Sequence, residues 1–442
     1  MKLKYGQTLK IGFAFLSISA FWQLYNSVIP KILVNTFHMN KVWAGAIMAL
    51  DNVLALFLLP LFGMLSDRCK SPMGKRKPFI LYGTIASVIF MQLIPFFDNR
   101  FAVSGQQGYR IAFIAVLLLL LISMGTYRSP AVALMPDVTP KPLRSGANSI
   151  INLMGAFGAI SFLIFTTFLY TGDSFTDANG HPDYTILYIF VGAIMLAALL
   201  VMMLTVDEPK LTAQMHEDSK LFEDNESEVT AVKAGTLAPE VKKSLLFLLA
   251  GIFCWFMGYN AVETWFTDFA DHAWNMSLGS ATACMTVTSV GMILSYLPSG
   301  FIAGKIGRKK TIMVGLCIEV LVFLTAFVYT FVIGEFSPAL FGLFFMLGLA
   351  WAMISVNSLP MVVDMCAEGD IGKFTGYYYT FSMSAQTVTP ILSGFILENA
   401  GYFCLFLYSA VFMGVAIGMM YFVKHGDAHF SMKKGLEVFE DL

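Results

Sequence analysis

Charged residues are scarce in this chain. Only 13% of its 442 residues are Asp, Glu, Lys or Arg, and 57% are hydrophobic, whereas an ordinary globular protein has about 25% charged residues. A water-soluble domain needs more polar surface than this composition supplies. The mean hydropathy of +0.70 indicates that lipid, not water, surrounds most of the protein.

Cysteines and basic residues are too dispersed to define several other classes of site. The six cysteines lie far apart, which gives neither a disulfide framework nor the spacing of metal ligands. The net charge is −1, and basic residues are not concentrated on a face or tail as nucleic acid requires. We therefore expect no metal, no cofactor and no nucleic-acid partner.

Catalytic motifs are missing as well. The chain has no cluster of metal ligands, no nucleophile motif and no phosphate-binding glycine loop, which an integral-membrane enzyme would need. A receptor or scaffold is a further alternative, but it would not need the polar residues that fill the seventh apolar segment. We expect a transporter and not an enzyme.

Long apolar segments, by contrast, recur along nearly the whole chain. Each has about 20 residues, enough for a helix to cross a hydrocarbon core of about 30 Å. Their continuous apolar character differs from the alternating pattern of a membrane β-barrel. We predict an all-α membrane protein with twelve transmembrane helices, near residues 10–34, 42–65, 79–97, 110–136, 146–170, 185–206, 244–268, 280–303, 311–333, 338–363, 374–397 and 401–423.

The distribution of basic residues predicts the orientation. If the N-terminus lies inside, 23 of the 28 Lys and Arg residues fall in inside segments and four fall outside. Positively charged loops are retained on the cytoplasmic side of a membrane. The remaining basic residue, Arg128, lies within a span. We predict a multi-pass protein of the cell membrane with both termini in the cytoplasm.

The longest polar stretch, residues 207–243, divides the predicted spans six and six. It mixes acidic residues with lysines and has few large apolar side chains, which indicates a flexible connector. We predict an N-terminal six-helix half at 1–206 and a C-terminal six-helix half at 244–424. Residues 207–243 are then a cytoplasmic linker, and residues 425–442 a cytoplasmic tail.

The two halves share sequence features at similar offsets. Residues 21–26 contain an adjacent Phe and Trp, then two other residues, then Tyr-Asn. Residues 255–260, 234 positions later, have the same pattern with Trp before Phe. The glycines and basic residues after the second span recur after the eighth, at offsets of 237 and 233. Parallel repeats of this kind predict a solute site near mid-bilayer between the halves, with rocking of one half against the other.

The loops after spans two and eight resemble those of the major facilitator superfamily. That family has a glycine, small residues, an acid, and then glycine with basic residues; residues 300–310 fit this pattern, with Gly304 where the acid is usual. Residues 66–80 begin Ser-Asp-Arg-Cys and end Arg-Lys-Pro-Phe-Ile, and are similar to the same loop of plant sucrose transporters. Weaker similarities lie at 130–137 and 267–269. The resemblance implies a proton-coupled symporter of sucrose-like glycosides or disaccharides.

Two positions depart from that family. The acid that the resemblance implies as the proton site, in the middle of span four, aligns with Leu121. The sugar-contacting arginine aligns with Val132, and Arg128 lies one turn away. Proton coupling in this chain must therefore use other groups, and the predicted proton-coupling residues are Asp51, Arg128 and Glu263. For Glu263 the alternative role is to accept a hydrogen bond from the sugar.

Asp51 and Arg128 are charges within predicted spans. Each costs at least about 2.5–3.5 kcal/mol at mid-bilayer, and a buried pair would reduce the cost of both. In one interpretation Arg128 holds Asp51 ionised until a proton and a sugar bind. In the other, the two form a permanent structural ion pair.

Polar and aromatic residues within the spans are candidate sugar contacts. Sugars need donors and acceptors for their hydroxyl groups and a flat apolar face. Helix packing or interfacial anchoring is the alternative role for the aromatic residues. The predicted substrate-binding residues are Trp22, Tyr25, Asn26, Tyr259, Asn260, Trp265, Asp268, Trp351 and Asn357.

Charged residues at the cytoplasmic loop ends form a predicted gate. Salt bridges there would favour one state of the transport cycle, whereas solvated positive loops are the alternative. The predicted gate residues are Asp67, Arg68, Arg76, Asp137, Arg144, Arg308, Asp364 and Lys373.

Secondary active transport is the function that these features predict. The expected partners are a sugar, protons and the lipid bilayer, and we expect a monomer. Sodium-coupled glycoside symport and export of small apolar compounds are the alternatives.

Overall fold

The chain is helical throughout the part that the computed structural model describes, which comprises residues 3–39, 41–169, 181–219, 237–276, 278–335, 337–366 and 370–427. Within those ranges it has thirteen α-helices and no β-strand. The helices are α1 (Tyr5–Lys31), α2 (Lys41–Asp67), α3 (Lys77–Ser104), α4 (Gln107–Asp137), α5 (Arg144–Leu169), α6 (Thr185–Thr205), α7 (Glu208–Ser219), α8 (Pro239–Trp274), α9 (Leu278–Ile306), α10 (Arg308–Val332), α11 (Ala339–Val363), α12 (Ile371–Ala400) and α13 (Cys404–Tyr421).

Ten of these helices are long and apolar enough to cross a membrane. The prediction of an all-α membrane protein is therefore confirmed, and ten of the twelve predicted spans meet the criterion. The two long helices that do not are α1 and α12. Helix α12 carries Ser, Thr, Tyr and Gln side chains along much of its length, which lowers its hydropathy.

The predicted linker and tail are described only in part. Helix α7 lies inside the predicted linker, so the first part of that segment is helical. Residues 220–236 of the linker and 428–442 of the tail lie outside the described residues.

Local sequence explains where helix α3 begins and ends. Pro78 lies in its first turn, where a missing backbone N–H costs nothing. Gly105 follows its last residue with φ of 65°, a left-handed conformation that glycine adopts readily. A Cβ at Gly83, within the helix, would lie 2.9 Å from Cβ of Tyr127 on α4. The glycine thus permits the close packing of α3 on α4.

Contacts divide the chain into two units. The N-unit comprises Lys4–Val138 and Ile150–Gln214. The C-unit comprises Met1–Leu3, Thr139–Ser149 and Met215–Leu442. The start of α5 therefore packs within the C-unit, although it precedes the linker in sequence.

The same helix pairings occur inside both units. In the N-unit, α2 and α3 pack on α4, and α6 packs on α1 and α3. In the C-unit, the corresponding α9 and α10 pack on α11, and α13 packs on α8 and α10. Two copies of one six-helix plan explain the sequence features that recur about 234 residues apart.

Candidate transport site

Asp51 and Arg128 line one cavity within the N-unit. They lie on α2 and α4, which pack together, and they are close enough to interact electrostatically. The Arg128 guanidinium also lies over the ring of Trp22, 5.3 Å from its centroid. Leu121 contributes to the apolar part of the wall. The structure thus brings together the two intramembrane charges that the sequence predicts as partners.

The size of this cavity limits what it can enclose. The cavity volume is about 20 Å³, which is room for about one water molecule. Small-molecule sites usually measure about 300–1,000 Å³. In this conformation these residues therefore enclose too little space for a disaccharide.

Tyr25 lies beside this group. Its side chain is 2% exposed, it stands edge-on to Trp22 with ring centroids 5.3 Å apart, and it interacts electrostatically with Asp51. Neither the Tyr25 hydroxyl nor the Trp22 indole N–H has a hydrogen-bond partner among the described residues. Asn26, one residue further along α1, is exposed.

An aromatic stack lies in the C-unit. The rings of Tyr259 on α8 and Trp351 on α11 are nearly parallel, with centroids 3.8 Å apart and an interplanar angle of 12°. Asn260 is buried at 7% exposure, and its amide nitrogen has no hydrogen-bond partner among the described residues. Glu263, one turn further along α8, is exposed. Helix α8 therefore presents an aromatic face, an amide and a carboxyl within two turns.

Three other predicted substrate-binding residues have structural contacts of their own. Trp265 packs closely against Gly394. Asp268 accepts a 2.7 Å hydrogen bond from the Tyr402 hydroxyl. Asn357 is fully buried and donates to the carbonyl of Met353 one turn earlier, at 2.8 Å.

The hydrogen bond from Tyr402 also affects its titration. Tyr402 lies between helices α12 and α13, and its donation to the Asp268 carboxylate raises the pKa of its phenol. The bond holds the end of α8 to this loop.

A buried ion-pair group, the Arg76 cluster, lies at one end of the N-unit helices. It consists of Arg76, Asp67, Asp137 and Glu208. Arg76 is 1% exposed and forms salt bridges of 2.5 Å to Asp67 and 2.6 Å to Asp137. Burial lowers the pKa of its guanidinium, but the two carboxylates outweigh that effect and raise the pKa overall. Three of the predicted gate residues are thus one buried group.

Glu208 belongs to this cluster, although the sequence reasoning placed it in the linker. Its carboxyl oxygens accept hydrogen bonds from the backbone N–H groups of Lys75, Arg76 and Lys77 at 2.6–3.0 Å. Burial raises the pKa of Glu208 above its ordinary 4.5, although the three N–H donors oppose the shift. The carboxylate therefore fixes the loop that carries Arg76.

A second buried group, the Asp364 cluster, lies in the C-unit and consists of Asp364, Arg144, Arg308 and Asp427. Asp364 pairs with Arg144 through one carboxyl oxygen and with Arg308 through the other. Arg308 also donates to the Ser145 hydroxyl at 2.8 Å. The structure therefore joins the other three buried gate residues.

Asp427 corresponds to Glu208 and was likewise missed. It accepts hydrogen bonds from the backbone N–H groups of Arg308 at 2.6 Å and Lys309 at 3.3 Å. Lys77 donates to two carbonyls at the end of α6, and Lys309 to two carbonyls at the end of α13. The sequence feature that could have identified both acids is their position just after the sixth helix of each half.

The two remaining gate residues lie outside these clusters. Arg68 is exposed. The Lys373 ammonium lies 5.9 Å from the ring centroid of Tyr377, one turn along α12.

A family model described as the Major Facilitator Superfamily matches residues 11–273 and 269–434. Among curated proteins, the chain is 28% identical over 151 residues to a sucrose transport protein of Arabidopsis thaliana. It is 34% identical over 151 residues to a sucrose transport protein of Oryza sativa subsp. japonica. These matches cover 31% of this chain and 25% and 30% of the two relatives. The matched region thus spans under a third of each relative.

Solved structures match over the whole length. The fucose:proton symporter of E. coli is similar with a TM-score of 0.68 and 16% identity, over 96% of this chain and all of that chain. A proton:xylose symporter is similar with a TM-score of 0.65 and 14% identity, over 98% of this chain and 97% of that chain. At these identities the similarity establishes the fold.

Proposed function

The chain belongs to the Major Facilitator Superfamily and is a multi-pass membrane transporter, and on that premise we propose that it is a proton-coupled symporter of a disaccharide or glycoside. The observation that carries the proposal is the joint placement of Asp51 and Arg128 in the cavity of the N-unit. A carboxyl group beside a guanidinium releases and takes up a proton as the guanidinium approaches or withdraws. Asp51 is the proton site in this proposal, and Arg128 sets its affinity for the proton.

The sugar contacts are proposed on both units. Aromatic rings bind the apolar face of a sugar, and amides and carboxyls bind its hydroxyl groups. Trp22 and Tyr25 supply rings in the N-unit, beside exposed Asn26. The Tyr259–Trp351 stack supplies a ring face in the C-unit.

The polar contacts of the C-unit are Asn260 and Glu263, which follow the stack along α8. Trp265, Asp268 and Asn357 are proposed as supporting residues, because each is already engaged by packing or by a hydrogen bond. The printed names of the curated relatives, which are sucrose transport proteins, support this substrate class.

The two buried ion clusters are the proposed cytoplasmic gate. We place the loop ends that carry them, and both termini, on the cytoplasmic side, because most basic residues fall in these segments. Arg144 and Asp364 are the pair that opens and closes. Arg68 and Lys373 lie outside the buried clusters and act through the surface charge of the loops. The proposed unit of function is a monomer in the cell membrane.

Asp51→Asn tests the proton site. The change keeps the shape of the side chain and removes its proton, so purified protein in proteoliposomes should lose sugar accumulation driven by a pH gradient. Counterflow of labelled sucrose or maltose should continue, because exchange needs no net movement of protons. Asp207→Asn, at an exposed position before α7, is the matched control and should accumulate sugar as the wild type does.

Each alternative gives a different result in the same vesicles. Accumulation that follows a sodium gradient and ignores pH would point to sodium coupling. Absence of sugar counterflow, with transport of small apolar compounds, would point to export. Unchanged pH-driven accumulation in Asp51→Asn would remove Asp51 from coupling.

A further inference from the structure

Glu319 is a buried acid to which the described part of the chain supplies no hydrogen-bond partner. It lies near the middle of α10, about 17 Å from the first residue of the helix at 1.5 Å per residue. Its side chain is 0% exposed, and neither carboxyl oxygen has a partner among the described residues. Because α10 is one of the ten candidate membrane spans, this acid lies deep within the hydrophobic part of the protein.

The other buried acids in the described ranges each lie beside a group that can donate a hydrogen bond or carry positive charge. Asp364 pairs with two arginines, and Glu208 accepts from three backbone N–H groups. Asp98, like Glu319, has no hydrogen-bond partner among the described residues, but one of its carboxyl oxygens lies 3.5 Å from the His181 ring. An ionised carboxylate in a dry interior needs such partners, whereas a neutral acid is far less costly to bury. The environment of Glu319 therefore favours its protonated form.

The helices around α10 supply no cation at this depth. Within their bounds, α11 and α13 contain no charged residue. Helix α9 has Lys305 at its end, and the basic residues of α8 lie near its two ends. Tyr259 interacts electrostatically with three ionisable groups, namely Glu319, Glu263 and Tyr296.

We propose that Glu319 is a second proton-carrying residue of the transport cycle, and that it exchanges its proton with the exposed face of α8 through Tyr259. This inference rests on the proposed proton-coupled transport. Glu319 has no hydrogen-bond partner among the described residues in this conformation, so the transfer takes place in another state of the cycle, in which the Tyr259 hydroxyl bonds both carboxyl groups. In that state Glu319 passes its proton to the Tyr259 hydroxyl oxygen as the hydroxyl gives its own proton to the Glu263 carboxylate. One O–H bond breaks and one forms at Tyr259, so a single proton moves and no co-reactant is needed.

Tyr259 links this proton to the sugar. Its ring forms the stack with Trp351, which is the proposed sugar-binding face of the C-unit, and Tyr259 also interacts electrostatically with Glu319. Two ligands that act on one side chain influence each other's binding reciprocally. Protonation of Glu319 and occupation of the stack by sugar are thereby coupled.

The test is the steady accumulation ratio of labelled sugar in proteoliposomes that contain the full chain. Each coupled proton multiplies the highest ratio by about ten for each unit of pH difference. Glu319→Gln, which keeps the shape and removes the proton, should lower that ratio by the same factor while counterflow continues at the wild-type rate. Glu335→Gln, an exposed acid of the same unit, is the matched control and should keep the wild-type ratio.

Infrared spectroscopy provides a readout that does not depend on transport. The carbonyl band of buried, protonated carboxylic acids should be the same in the wild type and in Glu335→Gln, and Glu319→Gln should lack the component of that band that belongs to Glu319. Glu319→Asp retains a proton and should keep the wild-type ratio, which serves as the test if the Gln variant does not fold. An unchanged ratio and an unchanged band in Glu319→Gln, in a protein whose wild type accumulates sugar with protons, would overturn this inference alone. Absence of proton-driven accumulation in the wild type would overturn the proposed function itself.

Discussion

The Arg76 cluster and the Asp364 cluster have the same arrangement in the two halves but opposite ratios of arginine to aspartate. In each, an arginine at the start of a helix is buried, and a carboxylate from beyond the sixth helix of the half accepts from the backbone N–H groups beside it. In the N-unit, one arginine is paired with two aspartates. In the C-unit, one aspartate is paired with two arginines, and one of these, Arg144, comes from segment Thr139–Ser149.

The difference follows from one position. Asp67 pairs with Arg76, and the residue 237 positions later is Gly304, which has no side chain to offer Arg308. The second copy therefore lacks one acid beside Arg308. One carboxyl oxygen of Asp364 pairs with Arg308, and the other pairs with Arg144. The Arg76 cluster is complete within the chain segments of the N-unit, whereas the Asp364 cluster depends on segment Thr139–Ser149 from earlier in the chain. We expect the first to serve stability and the second to serve switching.

The largest effect is expected for Arg76→Met. The change removes the buried cation that bridges the carboxylates of Asp67 and Asp137, which should lower the free energy of unfolding by about 3–5 kcal/mol. Thermal unfolding of the purified protein in detergent measures the loss. Arg68→Met removes an exposed cation from the same loop and should leave the unfolding temperature unchanged. Equal effects of the two changes would show that burial of Arg76 is irrelevant.

A smaller loss of stability is expected for Arg144→Met, because Asp364 keeps its bond to Arg308. One lost hydrogen bond to a charged group corresponds to about 1.5–3 kcal/mol. The rate of sugar counterflow should change clearly even though the loss of stability is small, since Arg144 and Asp364 are the proposed switch. In an Asp364→Asn background, Arg144→Met should have little further effect on either measurement. Independent, additive effects of the two changes would contradict the pairing.

The smallest effect is expected for the contribution of Glu208 to the pH dependence of stability. A carboxyl whose pKa is raised in the folded state contributes stability that is fully present below its ordinary pKa of 4.5 and is lost as the pH rises through the folded pKa. Glu208→Gln should abolish this part of the decline, as measured by unfolding temperatures across that pH range. A steeper decline in the variant would mean that the backbone N–H donors, not burial, determine the titration of Glu208.

Much of the fold is predictable from the sequence because lipid imposes strict limits on it. Apolar length identifies the helices, and α11 was placed at 338–363 against an observed Ala339–Val363. The division into six and six followed from the polar stretch at 207–243. The contact units differ from that division at Thr139–Ser149, because packing of Arg144 on Asp364 cannot be inferred from hydropathy.

The site was predictable only where charge was rare. Asp51 and Arg128 were predictable because a charged residue in a membrane span is costly unless it has a partner or a polar cavity. In the structure they line one cavity. Glu208 and Asp427 did not stand out, because acids are common in polar segments and their role depends on the backbone N–H groups that they meet. Glu319 is a further acid within a span, but the packing of four neighbouring helices was needed to show that the described residues supply it no hydrogen-bond partner.

Proton-driven sugar uptake by proteoliposomes is the most direct test of the proposed symport. Purified wild-type protein in proteoliposomes is given labelled sucrose or maltose with an inward pH gradient, and uptake is followed before and after a protonophore collapses the gradient. We expect accumulation above the external concentration, which is lost when the gradient collapses. Uptake that equilibrates without accumulation and does not respond to the protonophore would contradict proton-coupled symport.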